Sequence, residues 1–121
     1  RKDVAVLDAF LGDLPPGAPA AFEFRHPSWF DEDVFERLQQ RKLALCVADS
    51  EKLSAPVRVT ADYAYFRLRD EGYKPDDIKR WADTIARATP SCRDVFVYFK
   101  HEEEGKGPEF ARQLMDHLGL P

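Results

Sequence analysis

The sequence predicts an α/β protein built as part of a (β/α) barrel, with about four parallel strands and covering helices. Three observations carry this. Strand-like and helix-like segments alternate along the chain, and most of the links between strands are too long for hairpins, which makes parallel pairing the economical arrangement. The strands are also two-faced in an unequal way: one face is apolar throughout, while the other is small or aromatic early and charged near the C-terminal end. A doubly wound sheet would have to cover those charges with helices, whereas a barrel lumen that opens at its C-terminal mouth accommodates them.

The elements follow from spacing. Residues 3–14 place Val4, Leu7, Phe10, Leu11 and Leu14 on one helical face, and Pro15-Pro16-Gly17 stops the helix. Residues 20–26 (AAFEFRH) read as a strand, with Phe22 and Phe24 on one face and Ala21, Glu23 and Arg25 on the other. Pro27-Ser28 turns the chain. Asp31 is placed to cap a helix over 32–41 whose apolar face carries Val34, Phe35 and Leu38. Residues 43–48 (LALCVA) form the continuous apolar run of a strand covered on both faces. Val57-Arg58-Val59 is either a short strand or an extended approach to the next one, Tyr63–Arg69. In that strand Ala64, Phe66 and Leu68 oppose Tyr65, Arg67 and Arg69. A helix over 76–88 carries Ile78, Trp81, Ala82 and Ile85, and Pro90-Ser91 ends it. The last strand, Asp94–Lys100, sets Val95, Val97 and Phe99 against Phe96, Tyr98 and Lys100. Gly105-Lys106-Gly107-Pro108 then leads into a final helix bearing Phe110, Leu114 and Leu118.

Bulk properties exclude some functions. A net charge of −4 on 121 residues opposes generic nucleic-acid binding, although a local basic pocket remains compatible with it. The longest apolar runs are of strand length, so no membrane span is expected, and no secretory signal pattern is present. Cys46 and Cys92 make neither a disulfide framework nor a zinc site, which points to a reducing cytoplasm. The chain opens on Arg1-Lys2-Asp3, so preceding sequence is expected to have been removed or to lie outside it. A complete eight-unit barrel takes about 250 residues. Missing sequence, or pairing of the open strand edges with a second copy, is therefore expected.

Glu23-Phe24-Arg25-His26-Pro27-Ser28-Trp29, Ala48-Asp49-Ser50, Tyr65-Phe66-Arg67-Leu68-Arg69 with Trp81-Ala82, and Val97-Tyr98-Phe99 followed by Gly107 and Phe110-Ala111 occur here in order. In these segments the chain resembles the DUF72 (YecE-like) family. The resemblance implies a TIM-like barrel, with residues 1–121 as its C-terminal half and the N-terminal half absent. Many members read Phe-Asn-Asn where this chain has Phe99-Lys100-His101, so an asparagine role does not carry over. The resemblance implies no established activity, and likeness to metal-dependent barrel enzymes is analogy alone.

Parallel strands would gather Glu23, Arg25, His26, Asp49, Arg67, Arg69, Lys100, His101 and Glu102 at one mouth. Arg25, Arg67, Arg69 and Lys100 are the expected ligands for an anion, because guanidinium forks suit bidentate carboxylate or phosphate contacts. Glu23, His26 and Asp49 are the candidate acid–base groups, His26 on the strength of its ordinary pKa. The plainer alternatives are a mutually neutralising network for the charged set and a turn-stabilising role for His26. Trp29 is read either as a stacking surface for a ligand or as a clamp holding its loop to a helix. Glu23, His26, Asp49 and His101 have donor types a metal takes, but no close-spaced metal motif joins them, and no metal is assigned. Gly105–Pro108 opens a helix that can hold an anion, which the acidic run Glu102–Glu104 opposes. Tyr65 and Tyr98 face the lumen, as packing layers or as platforms for a sugar or base. The expected ligand is an anionic small molecule with no named cofactor. Nucleic acid and self-association through open strand edges are the alternative partners.

Overall fold

Four strands run parallel in one sheet, and their order in space is their order in sequence: β1 (Ala21–Phe22), β2 (Ala44–Asp49), β3 (Tyr63–Leu68) and β4 (Asp94–Phe99). A doubly wound sheet reverses direction at a switch point, whereas strict succession is the pattern of a (β/α) barrel. The computed structural model describes residues 1–101 and 105–121. Four α-helices accompany the strands: α1 (Val4–Asp13), α2 (Glu32–Gln40), α3 (Pro75–Ala88) and α4 (Lys106–His117).

The apolar faces foreseen from alternation form the core in two adjoining clusters. Leu7 and Leu11 of α1 pack with Val34, Phe35 and Leu38 of α2 on Leu45, with Phe22 and Phe24 alongside. Val47, Ala64, Phe66 and Leu68 pack under Ile78, Ala82 and Ile85 of α3 and Phe110 and Leu114 of α4. Phe66, Leu68, Ile78, Val34 and Leu38 have no solvent exposure. All these strand residues share one face of the sheet, so the other face is the lumen. In cross-strand register it presents Cys46, Tyr65 and Phe96 in one layer and Ala48, Arg67 and Tyr98 in the next.

Several local expectations are corrected. Only Ala21–Phe22 of the 20–26 segment pairs as strand. β1 lies at an open edge, so its backbone is bonded on one side alone, and His26 to Trp29 are drawn into a 3₁₀ turn with Pro27 at its start. The alternation of side chains nevertheless continues past Phe22. Asp31 occupies the N-cap position of α2 without a side-chain cap, because its carboxylate accepts from Lys2 Nζ at 2.8 Å. Residues 57–59 are not a strand. Arg58 instead forks onto Glu32 at 2.5 and 2.9 Å and lies over the Phe35 ring. Phe10 stays half exposed on α1, touching Phe22 edge-on.

The β2–β3 link carries no helix, and Thr60 does the sealing. Its hydroxyl donates to Leu43 O at 2.6 Å and accepts from Leu45 N at 3.1 Å, satisfying the β2 backbone before β3 joins it. No helix is long and apolar enough to cross a membrane among the described residues.

Candidate functional site at the strand C-termini

The sheet directions bring Glu23 and Arg67 together. Glu23 follows β1 on the lumen side. Arg67 and Arg69, two residues apart at the end of β3, project from that same side. Arg67 Nη1 donates to Glu23 Oε1 at 2.6 Å, and Arg69 Nη2 donates to Oε2 at 3.4 Å. Arg25 Nε stands 4.0 Å from Oε2 on a side chain that is largely exposed. The Glu23 side chain is 15% exposed and the two β3 arginines 26% and 27%, so this network is shielded from bulk water more than a surface ion pair.

Among the described residues, most of the guanidinium donors have no partner. Arg69 Nε is buried without a partner, and each of the two arginines makes one side-chain bond to Glu23. A cleft of about 730 Å³ opens beside Arg69. Its walls carry Glu23, Arg25, Arg69 and Lys100, and Ala48 leaves the floor low. The 50–53 loop closes one side, where Ser50 N donates to Leu53 O and the Glu51 carboxylate accepts from Glu71 N at 2.7 Å. That backbone bond, first among its interactions, holds the Glu51 carboxyl below the usual carboxylate range. Cys46 lies beneath Glu23, its Sγ 3.7 Å from Oε1. Burial, then the Glu23 charge, pushes its thiol up to about 12. It is a neutral floor residue rather than a nucleophile.

Not every expected residue joins this group. Asp49 shares the face of Leu45 and Val47 and points to the helix side. There it accepts from Ser54 Oγ at 2.7 Å and Tyr73 OH at 2.6 Å. Burial, with the Asp49 bond second, raises the Tyr73 phenol far above its ordinary value. His26 Nδ1 accepts from Ser28 N at 3.1 Å and contacts its hydroxyl at 2.8 Å, the turn-stabilising role. Trp29 lies flat on Phe24, ring centroids 4.7 Å apart, and packs with the α1–α2 core. His101 is buried among Tyr73, Phe99 and Phe110, its Nε2 2.6 Å from Asp70 O. Glu102 and the rest of the 102–104 run lie outside the described residues. Among the described residues no group of three or more His, Cys, Asp or Glu is placed to hold a metal ion. Ala48, Cys46 and the 50–53 loop were not foreseen as parts of the site. Small size and a β2–β3 link without a helix were their only signals.

The family model described as "Protein of unknown function DUF72" matches residues 1–121. No curated protein matches the chain. Among solved structures, a DUF72 family protein from Thermotoga maritima superposes with a TM-score of 0.83 at 24% identity, over 96% of this chain and 51% of that one. A DUF72 family protein from Enterococcus faecalis does so with a TM-score of 0.80 at 19% identity, over 98% and 53%. The chain thus spans about half the length of the solved structures it matches.

Proposed function

Because this chain belongs to the DUF72 family, whose function is unknown, we propose its role from the site alone: the strand C-termini bind an anionic small molecule bearing a phosphate or carboxylate. The observation that carries this reading is Arg69, which lines the cleft and shares Glu23 with Arg67 behind it, most of the two guanidinium groups' donors having no partner among the described residues. Arg25 and Lys100 add charge from the flanking strand ends. Partial burial lowers the local dielectric and strengthens each contact to an anion. Glu23 is the one candidate acid–base group that reaches the cleft. His26, Asp49 and Trp29 support the walls in this reading instead of touching the ligand.

Calorimetric titration with inorganic phosphate tests it. Arg67→Ala is expected to weaken binding at least tenfold, since a charge-assisted contact is worth about 1.5–3 kcal/mol. Unchanged affinity would count against the site. Nucleic acid is the less favoured ligand, because three carboxylates line the same cleft as its basic groups. A complex in a low-salt gel shift would reverse that preference. A reducing cytoplasm suits the two free cysteines.

A second reading concerns assembly. β1 and β4 both leave an edge unpaired, and Val6 and Phe10 on α1 and Met115 on α4 are exposed. These features support association of the two borders with further barrel strands or with a second copy. Sedimentation at rising concentration is expected to show self-association of the 121-residue chain. A stable monomer throughout would contradict it.

A further inference from the structure

Resting on the anion-binding reading, we infer that the ligand is an organic anion with a short aliphatic body, and that Ala48 and Leu53 select it by giving that body an apolar wall. The cleft is two-sided. The strands lie side by side in sequence order, so the lining residues sort by the strand that carries them. Arg69 and Lys100 come from just past β3 and β4, whereas Phe24, Ala48 and Leu53 come from just past β1, from β2 and from the loop that follows β2. Glu23 reaches across from the β1 side to the β3 arginines, and Arg25 beside it is largely exposed. The lumen residues of β2 between them, Cys46 and Ala48, are small and uncharged.

The apolar side is built rather than incidental. Ser50 N donates to Leu53 O at 3.1 Å and Leu53 N donates to Ser50 Oγ at 3.3 Å, which closes the 50–53 turn. The chain then runs back along the end of β2: Asp49 and Ser54 pair as an antiparallel bridge, and Ala55 N donates to Ala48 O at 2.9 Å. Both ends of the turn are thereby fixed to β2, and Leu53 is held half-buried at the cleft. Phe24 is fixed too, by its stack on Trp29. Ordering already met in the free protein leaves more of the gain from apolar contact for binding. The charged residues of the two loops, Glu51, Lys52 and Glu71, are exposed and stay hydrated without a ligand. A volume of about 730 Å³ is that of a small-molecule pocket, which spans roughly 300–1,000 Å³, and exceeds what a bare oxyanion fills. An oxyanion alone on Arg69 and Lys100 would leave the β1–β2 side in water. The ligand class that fits is an alkyl phosphate or an aliphatic carboxylate.

Butyl phosphate, glycerol phosphate and inorganic phosphate, titrated separately into the intact protein, distinguish the cases. Butyl phosphate is expected to bind roughly four- to fifteenfold more tightly than inorganic phosphate, the gain from burying about one or two methylenes. Glycerol phosphate, with hydroxyls on a body of similar length, is expected to gain no more than about twofold. Leu53→Ser removes the apolar side chain, leaves the backbone bonds to Ser50 in place, and is expected to bring the butyl-to-phosphate ratio below about threefold. Should that variant unfold, calorimetry of the unmodified protein at several temperatures decides, because apolar burial makes the heat capacity of binding more negative for butyl phosphate than for phosphate. Equal heat capacities, or equal affinities for butyl and inorganic phosphate, overturn this inference and leave the anion reading standing. A gain for glycerol phosphate that matches the gain for butyl phosphate overturns the aliphatic body. A gain that survives Leu53→Ser overturns the assignment to Leu53. Failure of all three ligands to bind overturns both readings.

Discussion

At Glu23 two demands compete. Its carboxylate neutralises Arg67 and Arg69, and it occupies donors that an incoming anion would use. Glu23→Gln is therefore expected to raise phosphate affinity about tenfold while lowering folding stability by ~1–2 kcal/mol, because a neutral amide accepts less strongly from the arginines. Calorimetry and urea denaturation on the same sample check the opposed signs. Cys46 gives a pH signature. Burial and the Glu23 charge hold its proton more tightly in the folded chain than in the unfolded one. That contribution is complete below pH 9.0 and is lost as pH rises toward about 12. Stability measured from pH 8 upward is expected to fall less steeply in Cys46→Ala, by at most ~1.4 kcal/mol per pH unit. Tyr73→Phe leaves Asp49 with one partner fewer and is expected to cost ~1–3 kcal/mol in the same denaturation assay. At this scale Glu23, Arg67, Arg69 and Lys100 were legible, because strand alternation assigns each to the lumen. The same rule sends Asp49 to the helix side, two residues on from core-facing Val47. His101 follows core-facing Phe99 in the same way. His26 and Trp29 belong to the 3₁₀ turn, where strand alternation no longer applies.

Among the elements, α4 depends on a close approach. Gly107 N donates to His101 O at 3.0 Å, and a Cβ on Gly107 would stand 2.7 Å from that backbone oxygen. A backbone atom cannot swing aside as a side-chain tip can. Gly107→Ala is thus expected to destabilise the chain by ~1–3 kcal/mol, with early loss of protection at Phe110 and Leu114 in hydrogen exchange. A variant as stable as the parent would show that the approach is not tight. The helices were legible almost to the residue where Pro marks their ends, as at Pro15 and Pro90, while α4 begins at Lys106, inside the Gly105–Pro108 segment expected to precede it. The first strand is shorter than its alternation suggests. Phe22, Phe24 and the alternating charges have the right period, but period does not report whether a neighbour exists on the outer edge. The 50–60 link was opaque for a related reason. Its role depends on Thr60 meeting the backbone of β2, a contact across sequence that no local pattern encodes.

The whole molecule turns on four strands sharing one direction. Because they do, Glu23, Arg25, Arg69 and Lys100 at or just beyond the strand ends line a common opening, and partial burial there gives their charges more effect than the surface would. The unequal faces of the strands foretold this, and the partial barrel follows from strict strand succession. What covers the open borders is not written in the strands themselves, since an edge residue has the same composition whether its neighbour belongs to this chain or another. Diffraction from crystals grown with tungstate, an anomalously scattering phosphate analogue, tests the anion site most directly. The peak is expected within contact distance of Arg67 and Arg69 and beside Lys100. A saturated crystal with no peak there, or with its strongest peak elsewhere on the surface, would contradict the account.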